Sequence, residues 1–384
     1  MHKSKIQQIL DHAWNQYCDS FCPSSVQSKA AHSIMNCKSG TLGCNISICQ
    51  DCDHTAFHHN SCRNRNCPNC QAVLKEVWID QRRSEVIDVP YFHVVFTVPA
   101  ELNSLIYSNQ KLLYSLLHRC SAETLIELAS DHKYLGATPG IIQVLHTWGQ
   151  ELNFHPHIHC IISGGGLSKD RKLKTCQSRF FIPAKVLARK FRGKLLACIN
   201  DHYHSGKLCF SASCRSLRNS YAWKEWRDAL YKKPWCPDIR ETFNGFGNAI
   251  EYLGRYTHRI AITNTRIKTV TEELVTFMAK DYKNNALTKE VTLTNKEFVR
   301  RLMMHVLPCG FQKIRYYGFL NNRSKQKNLT LIFRIQGHRR FEAMFTGLSI
   351  SEVLKQVWDY DVHICPKCGC NNMKHSGRTY ALRN

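Results

Sequence analysis

The sequence predicts an α+β protein, and three observations carry that prediction: a β-hairpin dense in histidine, a cysteine-dense stretch near the N-terminus, and a basic C-terminal third of short strands and loops. Residues 1–36 read as helical, with Ile6, Leu10, Ala13, Trp14 and Tyr17 at helical spacing. Residues 37–70 form the cysteine module. A helix over 71–87 closes before Pro90, and YFHVVFTVP (91–99) is a strand stopped by Pro99. Residues 101–131 read as helix. GIIQVLHTW (140–148) and HPHIHCIIS (155–163) read as a hairpin with its turn near 149–153, and Gly164, Gly165 and Gly166 are expected to end the second strand. Residues 167–240, basic and irregular with scattered helices, read as an insertion. NAIEYLGRYTHRI (248–260) reads as helix despite Gly254, which costs about 1 kcal/mol there and points to a close backbone approach. The expected division is therefore a helical and cysteine-rich part at 1–88, a part at 89–265 that carries the histidine hairpin and the insertion near 167–240, and a basic C-terminal part at 266–384, which ends in a small cysteine cluster.

Composition narrows the function class. Fifty-three Lys and Arg against 29 Asp and Glu give a net charge of +24 and a pI near 9.4. An excess this large in a chain with 43% hydrophobic residues points to a polyanionic partner, nucleic acid first. No apolar run reaches the roughly 18 residues of a membrane span. MHKSKIQQILDHAW reads as the start of an amphipathic helix, not a signal peptide. The 20 cysteines include three Cys-x-x-Cys pairs, which argues for zinc ligation in a reducing bacterial cytoplasm over a disulfide framework.

Seven cysteines fall between Cys37 and Cys70. Cys49-x-x-Cys52 and Cys67-x-x-Cys70 have the spacing of a zinc ribbon and are expected to share one closed tetrahedral ion. Cys37, Cys44 and Cys62, with one of His54, His58 or His59, would make a second site. Cys365 and Cys368 form a further half-site that Cys370 or His375 could complete. Arg63 and Arg65, inside the module, are expected to touch DNA backbone.

The catalytic chemistry is read from two pairs. Alternate residues of a strand share a face, so His157 and His159 present two imidazoles to one metal ion. The hairpin register places His146 across from His157; Gln150, nearer the turn, and Gln143, if the register slips, are the other candidates for third ligand. Nitrogen donors alone favour zinc or another transition metal, whereas phosphate oxygens completing the sphere favour Mg2+ or Mn2+. Residues four apart share a helix face, so Tyr252 and Tyr256 present two phenols side by side. A metal that polarises a phosphodiester beside a phenolic nucleophile suits DNA strand transfer. Arg255 and Arg259 flank the tyrosines. Lys313, Arg315 and Arg323 lie among Phe298, Phe311, Tyr316, Tyr317, Phe319 and Phe333, a mixture suited to holding single strands.

HTWGQELNFHPHIHCIISGGGL (146–167), YLGRYTHRIAITN (252–264), LPCGFQKIRYYGFLNNR (307–323) and NSCRNRNCPNCQ (60–71), four motifs spanning most of the chain, resemble the two-tyrosine HUH transposases of rolling-circle insertion sequences, the insertion-sequence ninety-one family. The resemblance implies an HUH endonuclease palm, an antiparallel sheet flanked by helices. It also implies His157 and His159 as metal ligands and Tyr252 and Tyr256 as nucleophiles forming 5′-phosphotyrosine. Single-stranded DNA at transposon ends and target is the implied substrate. Asn66 departs from the histidine expected before the last cysteine pair. No phosphate-binding loop of the GxxxxGK[ST] type is present, so strand separation falls to a host helicase or the replication machinery. Two other readings compete: a replication initiator or relaxase with the same chemistry, and a non-catalytic zinc-bearing DNA-binding regulator.

Overall fold

The computed structural model describes residues 3–176, 180–235, 237–241, 254, 261–281, 287–337 and 341–380. Helices α1 (Lys5–Phe21) and α2 (Ser25–Met35) each begin with a serine capping box, Ser4 with Gln7 and Ser24 with Gln27, which satisfies orphan amides at both starts. The apolar stripe of α1, including Ile6, Ile9, Leu10, Ala13 and Trp14, is buried. Strands β1 (Gly43–Cys49) and β2 (Thr55–His59) follow, then α3 (Ala72–Arg83) and β3 (Tyr91–Thr97). Helices α4 (Asn103–Ser108) and α5 (Gln110–Ser130) lead into β4 (Thr138–Trp148) and β5 (Phe154–Leu167), with β6 (Leu173–Thr175) beyond. Next come α6 (Ala184–His204), α7 (Ser220–Lys232), β7 (Asp238–Glu241), β8 (Ile267–Val270), β9 (Leu274–Asp281), β10 (Leu287–Thr294) and α8 (Asn295–Met304). The chain continues through β11 (Ile314–Gly318), α9 (Lys325–Gln336), α10 (Ile350–Trp358) and β12 (Met373–Tyr380).

The main sheet is antiparallel, in the order β11-β4-β5-β3-β7, with β6 on β5. Its strands are apolar on both faces because helices cover both. One face carries Phe92, Val94, Phe96, Ile141, Leu145, Ile158, Cys160 and Ile162, buried against α5 and α6. The other carries Ile142 and Ile161, packed with Ile79 of α3 and with Leu329 and Ile332 of α9. By strand alternation, His93, His146, His157 and His159 lie on this second face. A separate core joins α1, α2, α8 and the β8–β9–β10 sheet.

One expectation is corrected, and two observations bear on the expected division. The three glycines do not end β5; the strand runs through them, pairing Gly165 with Thr175 and Gly166 with Lys174. A Cβ at Gly166 would stand 2.2 Å from the Thr138 carbonyl oxygen, so close backbone approach explains the run. Residues 167–240 are more regular than expected: Leu187, Phe191, Leu195, Leu196 and Ile199 of α6 complete the main core, and β7 edges the main sheet. The chain's two ends also share structure across the expected division, since β12 pairs with β1 along its whole length.

Candidate active site

The turn at 149–153, closed by Gly149 N–H donating to the Asn153 carbonyl at 2.9 Å, sets the register of the hairpin and pairs His146 directly with His157. All three imidazoles are buried, and one nitrogen of each lies within 4.8 Å of the others. The two Nε2 atoms of His157 and His159 are 3.0 Å apart. For nitrogens about 2.1 Å from one ion this matches the roughly 3.0 Å edge of an octahedron and is shorter than the roughly 3.4 Å edge of a tetrahedron. The His157 Nδ1–H donates to the His155 carbonyl at 2.7 Å, which puts the ring's Nε2 lone pair, not a proton, toward His159.

His93 completes the arrangement and was missed in the sequence. Its Nε2 lies 2.8 Å from His159 Nδ1, with the rings stacked at 5.0 Å. A His159 Nδ1–H donated to His93 puts the His159 Nε2 lone pair toward His157. Burial lowers the His93 pKa to about 4, against the pull of Asp238, so the ring is neutral and able to accept. The signal was a histidine interrupting the apolar run of YFHVVF.

The candidates for third ligand are separated by the fold. Gln143 is on the opposite face, its amide bridging His118 Nδ1 and Ser121 Oγ of α5 at 2.9 and 3.0 Å. Gln150 sits in the turn, where its carbonyl accepts from Arg266 at 2.5 Å. His146 is the residue that joins the cluster. Trp148 stacks on it at 4.5 Å, and Lys313 lies over the Trp148 ring at 5.1 Å, one ring removed from the imidazoles.

Tyr252, Tyr256, Arg255 and Arg259 lie outside the described residues. Gly254 between them is described, helical and buried, and a Cβ there would stand 2.2 Å from Ile79 Cδ1. Ile79 belongs to α3, which covers the sheet face that carries the imidazoles.

The basic residues divide. Arg65, Lys313, Arg315 and Arg323 line one open groove of about 720 Å³. The Arg65 guanidinium also donates to the Phe311, Leu307 and Pro308 carbonyls at 2.5, 3.3 and 2.9 Å. Arg315 donates to Ser115 Oγ at 3.1 Å and lies over Phe311. Arg323 and Arg63 are exposed. Among the aromatics, Phe298, Phe311 and Phe319 are core, not stacking platforms.

The cysteines form two clusters, neither with the membership expected from spacing. Cys37, Cys62, Cys67 and Cys70 converge, as do Cys49, Cys52, Cys365 and Cys368. The two Cys-x-x-Cys pairs of the N-terminal module therefore belong to different clusters. Sulfurs 3.7 Å apart in Cys62–Cys70 and Cys52–Cys365, and 3.6 Å in Cys49–Cys368, match the roughly 3.8 Å edge of a tetrahedron with Zn–S near 2.3 Å. Thiols so close perturb one another: hydrogen bonds from Cys62, Cys67 and Cys70 drive the Cys37 thiol far below its usual range, and Cys37, Cys62 and Cys70 drive Cys67 far above. Cys44 is not in either cluster; its sulfur sits 3.3 Å from Thr379 Oγ1. Cys370 and His375 are exposed and stand outside the second cluster, whose other half is Cys49 and Cys52. The donor sets fit structural zinc, with no histidine required in either.

No described helix is long and apolar enough to cross a membrane. Residues 140–328 match a putative transposase family, and residues 9–98 match a transposase zinc-binding domain. The chain is 41% identical to a putative transposase, y4qJ, of Sinorhizobium fredii over 307 residues, which is 80% of this chain and 77% of that one. It is 27% identical to the transposase for insertion sequence element IS801 of Pseudomonas savastanoi pv. phaseolicola over 304 residues, 78% of this chain and 71% of that one. No solved structure matches. Its two matched domains and these relatives place the chain in the IS91 family of transposases, with a zinc-binding domain at the N-terminal side.

Proposed function

We propose that this transposase nicks and rejoins single-stranded DNA through 5′-phosphotyrosine intermediates in rolling-circle-type transposition. The observation that carries this reading is the buried cluster of His146, His157 and His159, with two Nε2 atoms 3.0 Å apart and both second ring nitrogens engaged elsewhere. These three residues would hold a divalent ion, Mg2+ or Mn2+ with phosphate oxygens in the sphere, and such an ion supplies polarisation of the scissile phosphodiester. Tyr252 and Tyr256 are the proposed nucleophiles. The phenol oxygen forms the new P–O bond, the bond to the 3′ oxygen breaks, and the phenol proton passes to that leaving oxygen through solvent. Because ester replaces ester, the step is reversible, and a free 3′-hydroxyl can attack the phosphotyrosine to rejoin a strand. A second tyrosine lets two covalent 5′ ends coexist in one protein. Support for placing them here comes from Gly254, packed on α3 over the imidazole face.

Cys37, Cys62, Cys67 and Cys70 would hold the structural zinc of the N-terminal domain. Lys313 and Arg323 are proposed DNA contacts in the groove beside Trp148, Arg63 a contact on the zinc module, and Arg255 and Arg259 contacts near the scissile phosphate. Strand separation is proposed to come from host helicase or replication, in the bacterial cytoplasm. The test is incubation of the full chain with labelled single-stranded oligonucleotides from the flanking DNA and Mn2+, read as a denaturant-resistant protein–DNA adduct. Wild type should form adduct only with the metal. Binding without adduct under every metal condition would overturn the reading.

A further inference from the structure

We propose that Cys49, Cys52, Cys365 and Cys368 bind a second zinc that fastens the C-terminal segment to the N-terminal module, and that the cleft walled by the two grips a single strand of DNA. The second half of this proposal rests on the single-strand chemistry above; the first stands on the cysteines alone. Cys52 and Cys365 are 313 residues apart in sequence, yet their sulfurs are 3.7 Å apart. Both pairs sit on tight turns, with Asp53 N–H donating to the Cys49 carbonyl at 3.1 Å and Gly369 N–H to the Cys365 carbonyl at 2.9 Å. Asp53 and Gly369 have positive φ, 52° and 75°, which folds each turn back on itself. Cys49 and Cys365 are fully buried with little around them but Met373, Cys52 and Ala56. So small an apolar cluster does not explain why two distant turns should be clamped together. A tetrathiolate ion does, with folding free energy on the order of 10 kcal/mol.

The clamp has a consequence. It holds β12 on β1 and brings α10 beside the zinc module, and between them lies a cleft of about 1160 Å³, larger than the roughly 300–1,000 Å³ of small-molecule pockets. Phe57, Trp358, Tyr360 and Tyr380 line it while being 58%, 45%, 53% and 82% exposed. Lys38, Arg63 and Arg378 supply positive charge, and none of the lining residues is a carboxylate. His58 Nε2 and His59 Nδ1, also lining it, are buried atoms with no hydrogen-bond partner among the described residues. Exposed rings interleaved with cations, with unused polar atoms on base-edge scale, suit a strand whose bases are free to stack; a duplex keeps its faces stacked inside.

The test uses the full chain, metal analysis and fluorescence anisotropy with a mixed-sequence single strand of about 30 nucleotides and its duplex. Wild type should hold two zincs, and Cys365→Ser/Cys368→Ser should hold one and bind the single strand roughly tenfold more weakly. Trp358→Ala/Tyr360→Ala, both on exposed side chains, should keep two zincs and lose a similar factor. One zinc in wild type, or two in the cysteine variant, overturns the metal site. Unchanged affinity in the aromatic variant, or equal affinity of wild type for duplex, overturns the occupant. Wild type that binds through the cleft yet forms no adduct would instead overturn the strand-transfer reading and leave the cleft standing.

Discussion

His146 shows how much one register decides. A hairpin shifted by one residue would turn its ring to the α5 face, where Gln143 and His118 sit. His146→Ala should therefore remove adduct formation while the far-ultraviolet dichroism spectrum and zinc content stay unchanged; retained adduct at more than a tenth of wild type would return the third-ligand role to Gln150. Gly254 decides a second distance. Alanine there overlaps Ile79 Cδ1 and Cγ1, at 2.2 and 2.4 Å, and overpacking of this kind costs about 1–3 kcal/mol. Gly254→Ala should lower the urea midpoint and the adduct yield together. Its stability cost should shrink in an Ile79→Ala background, a favourable coupling in a double-mutant cycle. Additive costs would mean that the two residues do not meet.

At the scale of elements, buried neutral histidines tie helices to the sheet. His118 of α5 meets Gln143 of β4, and His305, just past α8, donates its Nε2–H to the Leu152 carbonyl at 3.1 Å, which leaves Nδ1 to accept from Thr147 Oγ1 at 3.2 Å. Burial lowers the His118 pKa to about 3 and the His305 pKa to about 4. Their unfolded values are near 6.5, so the unfolded chain binds more protons between those limits and stability must fall as pH falls. The expected result is a Tm constant above pH 6.5 that drops from there toward pH 4, with the drop reduced in His118→Phe; a flat profile across that range would contradict it. Much of this layer was legible beforehand. The strand breaks at Pro99, the apolar stripe of α1, the hairpin and its 146/157 pairing all follow from local pattern and turn geometry. The cysteine partners did not, because spacing reports only the loop between two turns, whereas β12 returns to β1 from the far end of the chain. Helices were expected around α6, but its length and its place in the core were hidden by its own charge: five buried apolar positions at helical spacing were masked by the lysines and arginines between them. His93 was hidden for the opposite reason, as one polar residue in an apolar strand.

At the scale of the molecule, the fold arranges three things around one antiparallel sheet: three imidazoles on one face, a basic groove at the β11 edge, and an N-terminal module tied to the chain's C-terminal end. The net charge of +24 gives any such protein non-specific affinity for DNA, so binding alone distinguishes little. What sets a strand transferase apart is the covalent bond. The most direct measurement is adduct formation with Mn2+ on a labelled single strand by wild type, Tyr252→Phe, Tyr256→Phe and the double variant, with peptide mapping of the modified residue. Each single variant should retain part of the wild-type yield, the double variant should form none, and the mapped residue should be Tyr252 or Tyr256. Undiminished adduct in the double variant, or a modified residue elsewhere in the chain, would contradict the account.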